Sequence, residues 1–109
     1  TPHLSPMFRG ILTTMYLDLK RKDSLKKIYS FLKKYYKNNK FIKILKPNTF
    51  LGTNEVINTN NCHISVCESK YKNKIIILSA IDNLIKGGSG QAVQNMNILF
   101  GYKSDEGLN

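Results

Sequence analysis

The chain has 109 residues, 41% of them hydrophobic, which is enough for one small domain with a modest core. Its longest apolar run, Ile75 to Ile81, is far too short to span a bilayer, and no charged-then-apolar signal segment opens the chain. These features argue against a membrane-spanning or secreted protein. We expect a soluble, cytoplasmic single domain over residues 1–109.

The net charge of +10 is distributed unevenly along the chain. Residues 1–46 carry twelve of the seventeen Lys and Arg against two acids, whereas residues 47–109 are neutral. Only two of these cations are Arg, the side chain whose planar fork is best suited to reading DNA bases. We therefore expect no nucleic-acid partner and no membrane. A basic module that binds RNA or a membrane surface remains the alternative from another functional class.

The first half of the chain changes its hydrophobic period from two to 3.6. "GILTTMYLDLK" alternates and predicts a strand, whereas "DSLKKIYSFLKKYYKNN" predicts an amphipathic helix. Asp23 or Ser24 can cap the first amides of this helix, and lysines near its end suit the negative pole of the helix dipole. We interpret the lysine face as solvated, although it could also meet anionic lipid or RNA. The predicted apolar arc comprises Leu25, Ile28, Tyr29, Leu32 and Tyr36.

The second half begins with more strands. "FIKIL" predicts a short strand ended by Pro47, and "KPNTFLGTNEVINTNN" predicts an irregular loop, which at this length is usually functional or mobile. "CHISV" and "NKIIILSAI" predict an antiparallel hairpin whose second strand, apolar on both faces, is central. The predicted fold class is α+β, with a mixed, largely antiparallel sheet and helices packed on one face.

Two cysteines lie five residues apart in the first strand of that hairpin. The odd spacing points Cys62 and Cys67 to opposite faces, so they cannot readily form a disulfide with each other. His63 points away from its neighbour Cys62, since neighbouring strand residues diverge, and no second ligand pair follows. We predict two reduced packing cysteines and no metal site.

A glycine-rich corner, "IDNLIKGGSGQAVQNMNILFG", follows the last strand. Glycines let a ligand approach the main chain, and amides at a helix start favour anionic or carbonyl groups. Asn83 offers both an amide donor and an acceptor, which suits recognition of another amide, and Lys86 adds a cation. The alternative is an ordinary strand-to-helix turn in which a buried Asn holds loop backbone. We expect Gly101 to end the helix and its buried stripe to comprise Ala92, Val93, Met96 and Phe100.

The corner segment resembles the C-terminal signature of N-acetyl-gamma-glutamyl-phosphate reductases. "TPHLSPMFRGIL" at the start of the chain is similar to a second signature of the same family, and "GTNEVINTNNCHISV" is similar to its loop and Cys-containing strand. The three segments occur in the family's order, so the resemblance covers nearly the whole chain.

The resemblance implies an enzyme of arginine biosynthesis that uses NADPH to reduce an acyl phosphate, through a Cys thioester, to a semialdehyde. It implies the C-terminal catalytic and dimerisation domain shared with glyceraldehyde-phosphate and aspartate-semialdehyde dehydrogenases, and a parent enzyme that forms homo-oligomers. A sister reductase of lysine biosynthesis, acting on aminoadipyl phosphate linked to a carrier protein, shares the "Asp-Asn-Leu" and helix signatures and remains an alternative.

The resemblance also implies roles for individual residues. Asn83 receives the nicotinamide carboxamide of NADP, with Lys86 and Gly87 beside it as further cofactor-binding residues. His3 faces the acyl substrate, and Arg9 lies where a cation could meet a carboxylate or phosphate. The alternatives are that His3 hydrogen-bonds the loop and that Arg9 pairs an acid or anchors the turn before Gly10.

The family's other motifs are absent from these residues. Neither Cys62 nor Cys67 lies in an Asn-Pro-Gly-Cys-type motif, and both the histidine-rich motif and the dinucleotide-binding glycine fingerprint are missing. We therefore expect no catalytic residue in this chain and no reductase activity from it alone. We expect it to be a fragment whose N-terminal dinucleotide-binding domain lies elsewhere in the parent.

Overall fold

The computed structural model describes residues 2–109 as a four-stranded sheet with two α-helices. This confirms the predicted α+β class. The elements in chain order are β1 (Ile11–Asp18), α1 (Leu25–Tyr35), β2 (Ile42–Ile44), β3 (Cys62–Glu68), β4 (Lys74–Ile81), an irregular helical turn (Ile85–Ser89) and α2 (Gly90–Leu99). No helix among these residues has the length and hydropathy needed to cross a bilayer.

The sheet has the strand order β1-β4-β3-β2 and is mixed but largely antiparallel, as predicted. β4 pairs antiparallel with both β1 and β3, and β2 runs parallel to β3. The apolar strand β4 is therefore internal, and its hairpin with β3 is confirmed. Ile81 at the end of β4 lies opposite Ile11 and Cys62, so the corner that follows starts beside the first residues of two neighbouring strands.

Helix α1 forms as its periodicity and capping residues predict. Of the two predicted caps, Ser24 is the one whose hydroxyl accepts a hydrogen bond from the Lys27 amide, at 3.2 Å, while the Asp23 carboxylate pairs with the Lys27 ammonium at 2.9 Å. The predicted apolar arc is the less exposed side of the helix, and its lysines are exposed. The helix packs against β2 and β3.

The segment of residues 45–61 is part of the core, although it has no regular secondary structure. Leu51 and Val56 are buried and pack with Ala80 of β4. The Ser65 hydroxyl of β3 donates to the Thr49 carbonyl oxygen at 2.7 Å. This loop therefore covers one side of the hairpin through a few apolar side chains and hydrogen bonds to irregular backbone.

The predicted buried stripe of α2 is wrong. Ala92, Met96 and Phe100 are exposed and Val93 is only half-buried, whereas the buried residues of this helix are Gly90, Gln94 and Asn97. The polar side turns inward because the Gln94 amide oxygen accepts a hydrogen bond from Asn60, at 3.1 Å, and the Asn97 amide donates to the Glu106 carbonyl at 2.9 Å. Gly101 follows the helix with φ of 75°, as expected of its stop residue.

Candidate functional site

The corner after β4 is closed by the carboxylate of Asp82, which is fully buried. Its Oδ1 accepts hydrogen bonds from the backbone amides of Leu84, at 2.8 Å, and Ile85, at 2.9 Å. An Asp that follows a strand commonly holds the amides two and three residues ahead in this way. The chain therefore turns sharply at Asp82 and brings the next residue, Asn83, to the edge of the sheet.

Two distant segments meet the same carboxylate. Arg9 Nε donates to Asp82 Oδ1 at 3.2 Å and lies 2.9 Å from Oδ2 in an ion pair. Asp82 Oδ2 accepts from the Asn58 backbone amide at 2.7 Å, and Arg9 Nη1 donates to Asn58 Oδ1 at 3.0 Å. Burial by itself raises the pKa of Asp82, but the hydrogen bonds from three backbone amides and from Arg9 outweigh it and hold the pKa below its ordinary value. The group is therefore an ionised, fully partnered carboxylate.

Asn83 is half-buried, and its carboxamide is oriented by the main chain. The Gly10 amide donates to Asn83 Oδ1 at 2.7 Å. Gly10 has φ of 109°, and a Cβ there would lie 2.6 Å from Thr53 Cβ, so the close approach requires glycine. Within residues 2–109 the Nδ2 amide of Asn83 has no protein acceptor, which leaves it able to donate to a ligand carbonyl. The oxygen of the amide already accepts one hydrogen bond, from Gly10.

The two other predicted cofactor-binding residues, Gly87 and Lys86, have different surroundings. Gly87 is exposed, and its amide donates to the Asp82 carbonyl at 2.8 Å, so its main chain lies at the surface of the corner. Lys86 is half-buried: its ammonium donates to Gln94 Oε1 at 2.7 Å and lies 5.4 Å from the centre of the Phe41 ring. Burial lowers the pKa of Lys86. The cofactor-binding roles of both residues stay predictions.

The structure thus gathers some predicted site residues and leaves others apart. Arg9, Asn83 and Gly87 surround Asp82, whereas His3 is exposed in the N-terminal segment and its substrate-facing role stays a prediction. The predicted alternative in which Arg9 pairs an acid is what the ion pair with Asp82 shows. Such a pair still leaves part of the guanidinium for other partners.

Three residues of this corner were missed or undervalued from the sequence: Asp82, Asn58 and Gly10. A capping role for Asp82 was available from its place directly after a strand. The need for a positive φ at Asn58 and Gly10 had a weaker signal, since Asn and Gly are the residue types that adopt it most readily. The Asn58 amide reaches the Asp82 carboxylate from 24 residues away, and the Gly10 amide reaches Asn83 from 73 residues away.

The two cysteines lie in the sheet rather than in the corner's hydrogen-bond network. Cys62 Sγ is 3.5 Å from Ser79 Oγ, and Cys67 Sγ is 3.8 Å from the Thr49 carbonyl oxygen. Both are half-buried free thiols on opposite faces of β3, as their spacing predicts. Neither of these two contacts pairs a thiol with a general base.

A cavity of about 220 Å³ lies on the α2 side of the corner. Its lining includes Asn58, Ile85 and Gly90 together with residues 107–109, and Asn83 is not part of it. The half-buried Asn83 side chain therefore lies outside this cavity.

Comparison with known proteins gives a consistent assignment. Residues 1–83 match the family model described as "Semialdehyde dehydrogenase, dimerisation domain". The chain is similar to proteins named N-acetyl-gamma-glutamyl-phosphate reductase from three bacteria. Identity is 50% over 108 residues for Thermoanaerobacter pseudethanolicus, 53% over 108 for Vesicomyosocius okutanii and 48% over 109 for Clostridium botulinum.

These alignments cover 99%, 99% and 100% of this chain but only 31%, 30% and 32% of the respective relatives. The chain therefore spans about a third of the length of the curated relatives it matches.

Proposed function

The chain belongs to the semialdehyde dehydrogenase dimerisation-domain family, and from this premise we propose that it forms part of an NADPH-dependent N-acetyl-gamma-glutamyl-phosphate reductase of arginine biosynthesis. The observation that carries the proposal is the identity of about 50% along the whole chain to relatives that share this one name. The proposed reaction is reduction of an acyl phosphate to the semialdehyde with release of inorganic phosphate.

The corner supports a role in orienting the nicotinamide. The cofactor, when bound, supplies the hydride. Asn83 fits the carboxamide of such a group because Gly10 occupies its Oδ1 and leaves Nδ2 to donate one hydrogen bond to a carbonyl oxygen. Gly87 is exposed and has no side chain of its own, and a Cβ there would meet the Ile81 side chain at 3.3 Å.

The remaining parts of the proposed enzyme come from outside residues 1–109. A thioester mechanism needs a thiolate, a base and a domain that holds the dinucleotide phosphates. We place these in another part of the parent, with residues 1–109 as a portion of the catalytic and dimerisation domain. His3 then stands on the substrate side. The substrate-facing role of Arg9 competes with its bonds to Asp82 and Asn58.

The proposal is tested by expressing the complete reading frame and following NADPH oxidation with the candidate acyl phosphates. We expect turnover with N-acetylglutamyl phosphate, and none from the purified 109-residue chain, because the thiolate and the dinucleotide domain are missing from it. Turnover only with aminoadipyl phosphate on a carrier protein would instead identify the sister reductase of lysine biosynthesis. Activity of the 109-residue chain alone would contradict the proposal that the thiolate and the dinucleotide-binding domain lie in another part of the parent.

A further inference from the structure

Two nitrogens of the Arg9 guanidinium, Nε and Nη1, bind partners inside the protein. Its Nε donates to Asp82 Oδ1 at 3.2 Å and lies 2.9 Å from Asp82 Oδ2 in the ion pair, and its Nη1 donates to Asn58 Oδ1 at 3.0 Å. The Arg9 side chain is 19% exposed and that of Asp82 is 0% exposed. A cation neutralised by an adjacent buried carboxylate offers little net charge to an incoming phosphate.

The same ion pair locates the residue next to Arg9 in the chain. Gly10 follows Arg9 directly, and its amide holds Asn83 Oδ1 at 2.7 Å, while Asp82 directly precedes Asn83. Two adjacent bridges thus join residues 9–10 to residues 82–83: an ion pair between Arg9 and Asp82, and a hydrogen bond between Gly10 and Asn83. Neither bridge can shift without moving the other.

The second bridge decides which way the Asn83 amide points. An Asn carboxamide can rotate by half a turn and exchange its donor and acceptor positions. The Gly10 N–H needs an acceptor opposite it, so Oδ1 of Asn83 faces Gly10 and Nδ2 faces away from it. Displacement of Gly10 would remove this constraint and leave the orientation of the amide undefined.

We propose that Arg9 and Asp82 are positioning residues that fix the orientation of the Asn83 amide for the nicotinamide, and that Arg9 does not bind the acyl phosphate. This inference rests on the proposed function. It assigns Arg9 to the cofactor side of the site, although Arg9 does not touch the cofactor. It therefore differs from the sequence-based expectation that Arg9 meets a substrate carboxylate or phosphate.

The experiment is the substitution Arg9→Gln in the complete enzyme, with Arg21→Gln as the matched control. Arg21 is the other arginine of the chain and is exposed in the turn before α1. We expect Arg9→Gln to raise the KM for NADPH by about tenfold and leave the KM for the acyl phosphate unchanged, because a misplaced amide weakens cofactor orientation. A selective rise in the KM for the acyl phosphate, or no change in either constant, would overturn the inference.

A second variant covers the case in which Arg9→Gln does not fold. Asn58 has φ of 63°, which glycine adopts readily, and its backbone amide already serves Asp82. Asn58→Gly keeps that amide and removes the side-chain carboxamide, whose oxygen accepts from Arg9 Nη1. We expect a smaller rise in the KM for NADPH, about threefold, again without an effect on the acyl-phosphate constant.

A measurement that does not depend on turnover separates the two proposals. If the wild-type complete protein reduces neither acyl phosphate, the proposed function fails. The positioning claim is then judged by NMR, from the exchange rate of the Gly10 amide and the chemical shifts of the Asn83 side-chain amide. Faster exchange and shifted resonances in Arg9→Gln, but not in Arg21→Gln, support the claim, and unchanged signals overturn it.

Discussion

At the scale of single residues, the central observation is that one half of the Asn83 amide is occupied and the other half is free. The residue type alone is compatible with a donor, an acceptor or both. The Gly10 amide occupies the oxygen, and the steric limit set by Thr53 explains why a glycine provides that amide. Nδ2 can donate a hydrogen bond to a carbonyl oxygen of a ligand.

This leads to a prediction for Asn83 itself. In the complete enzyme, Asn83→Ala should raise the KM for NADPH or lower kcat by about tenfold, because the nicotinamide loses the hydrogen bond that orients it. Steady-state kinetics with varied NADPH would measure the effect. Asn95→Ala, at an exposed position of α2, is the control and should behave as wild type. Wild-type kinetics for both variants would remove Asn83 from the site.

At the scale of secondary structure, α1 and α2 differ in what decides their buried sides. The apolar arc of α1 faces the sheet as its periodicity predicts. Helix α2 buries Gln94 and Asn97 because polar partners, Asn60 and the carbonyl of Glu106, lie beside it. A hydrophobic pattern describes the side chains of a helix but contains no information about the polar groups of its neighbours.

The cap of α1 provides a prediction at this scale. Ser24→Ala removes the hydroxyl that accepts from the Lys27 amide and should lower the free energy of unfolding by about 1 kcal/mol. Urea denaturation followed by circular dichroism would measure it. Ser30→Ala, at an exposed position inside the same helix, is the matched control and should be neutral or slightly stabilising, since Ala is the better helix former. Equal losses for both variants would argue against the cap.

At the scale of the whole molecule, β1 stands out because it is an edge strand with apolar side chains exposed on both faces. The most exposed are Tyr16 at 73%, Leu12 at 45%, Ile11 at 44% and Leu17 at 41%. Exposed apolar surface of this kind on a strand edge marks an interaction site. The matched family is a dimerisation domain. We therefore propose that one face of β1 is covered by a second copy of the parent enzyme.

This proposal predicts that charge on one face of β1 weakens self-association. Leu12 and Tyr16 lie four residues apart on the same face. The double variant Leu12→Lys and Tyr16→Lys should raise the dimer Kd of the complete enzyme at least about tenfold, since two buried apolar contacts would become two like-charged pairs. Sedimentation-velocity ultracentrifugation would show it. Tyr35→Lys, on exposed α1 surface, should leave the Kd unchanged. A dimer unaffected by the β1 variant would place the interface elsewhere.

The sequence by itself determined the features that depend on near neighbours. The alternation of β1, the arc of α1, its cap at Asp23 or Ser24, the β3–β4 hairpin and the stop at Gly101 follow from hydrophobic period and from side chains within four residues. The structure selects Ser24 as the cap. The resemblance of the two end segments also pointed to the family that the comparison shows. All of these were readable without coordinates because local chemistry is sufficient for them.

Only the tertiary structure decided how distant segments meet. The Arg9–Asp82 pair joins residues 73 positions apart, the loop of residues 45–61 becomes part of the core, and α2 buries its polar side. Each outcome depends on which buried polar group finds a partner, and that is a property of the assembled chain. The orientation of the Asn83 amide belongs here too, because a carboxamide has two orientations and only the Gly10 N–H selects between them.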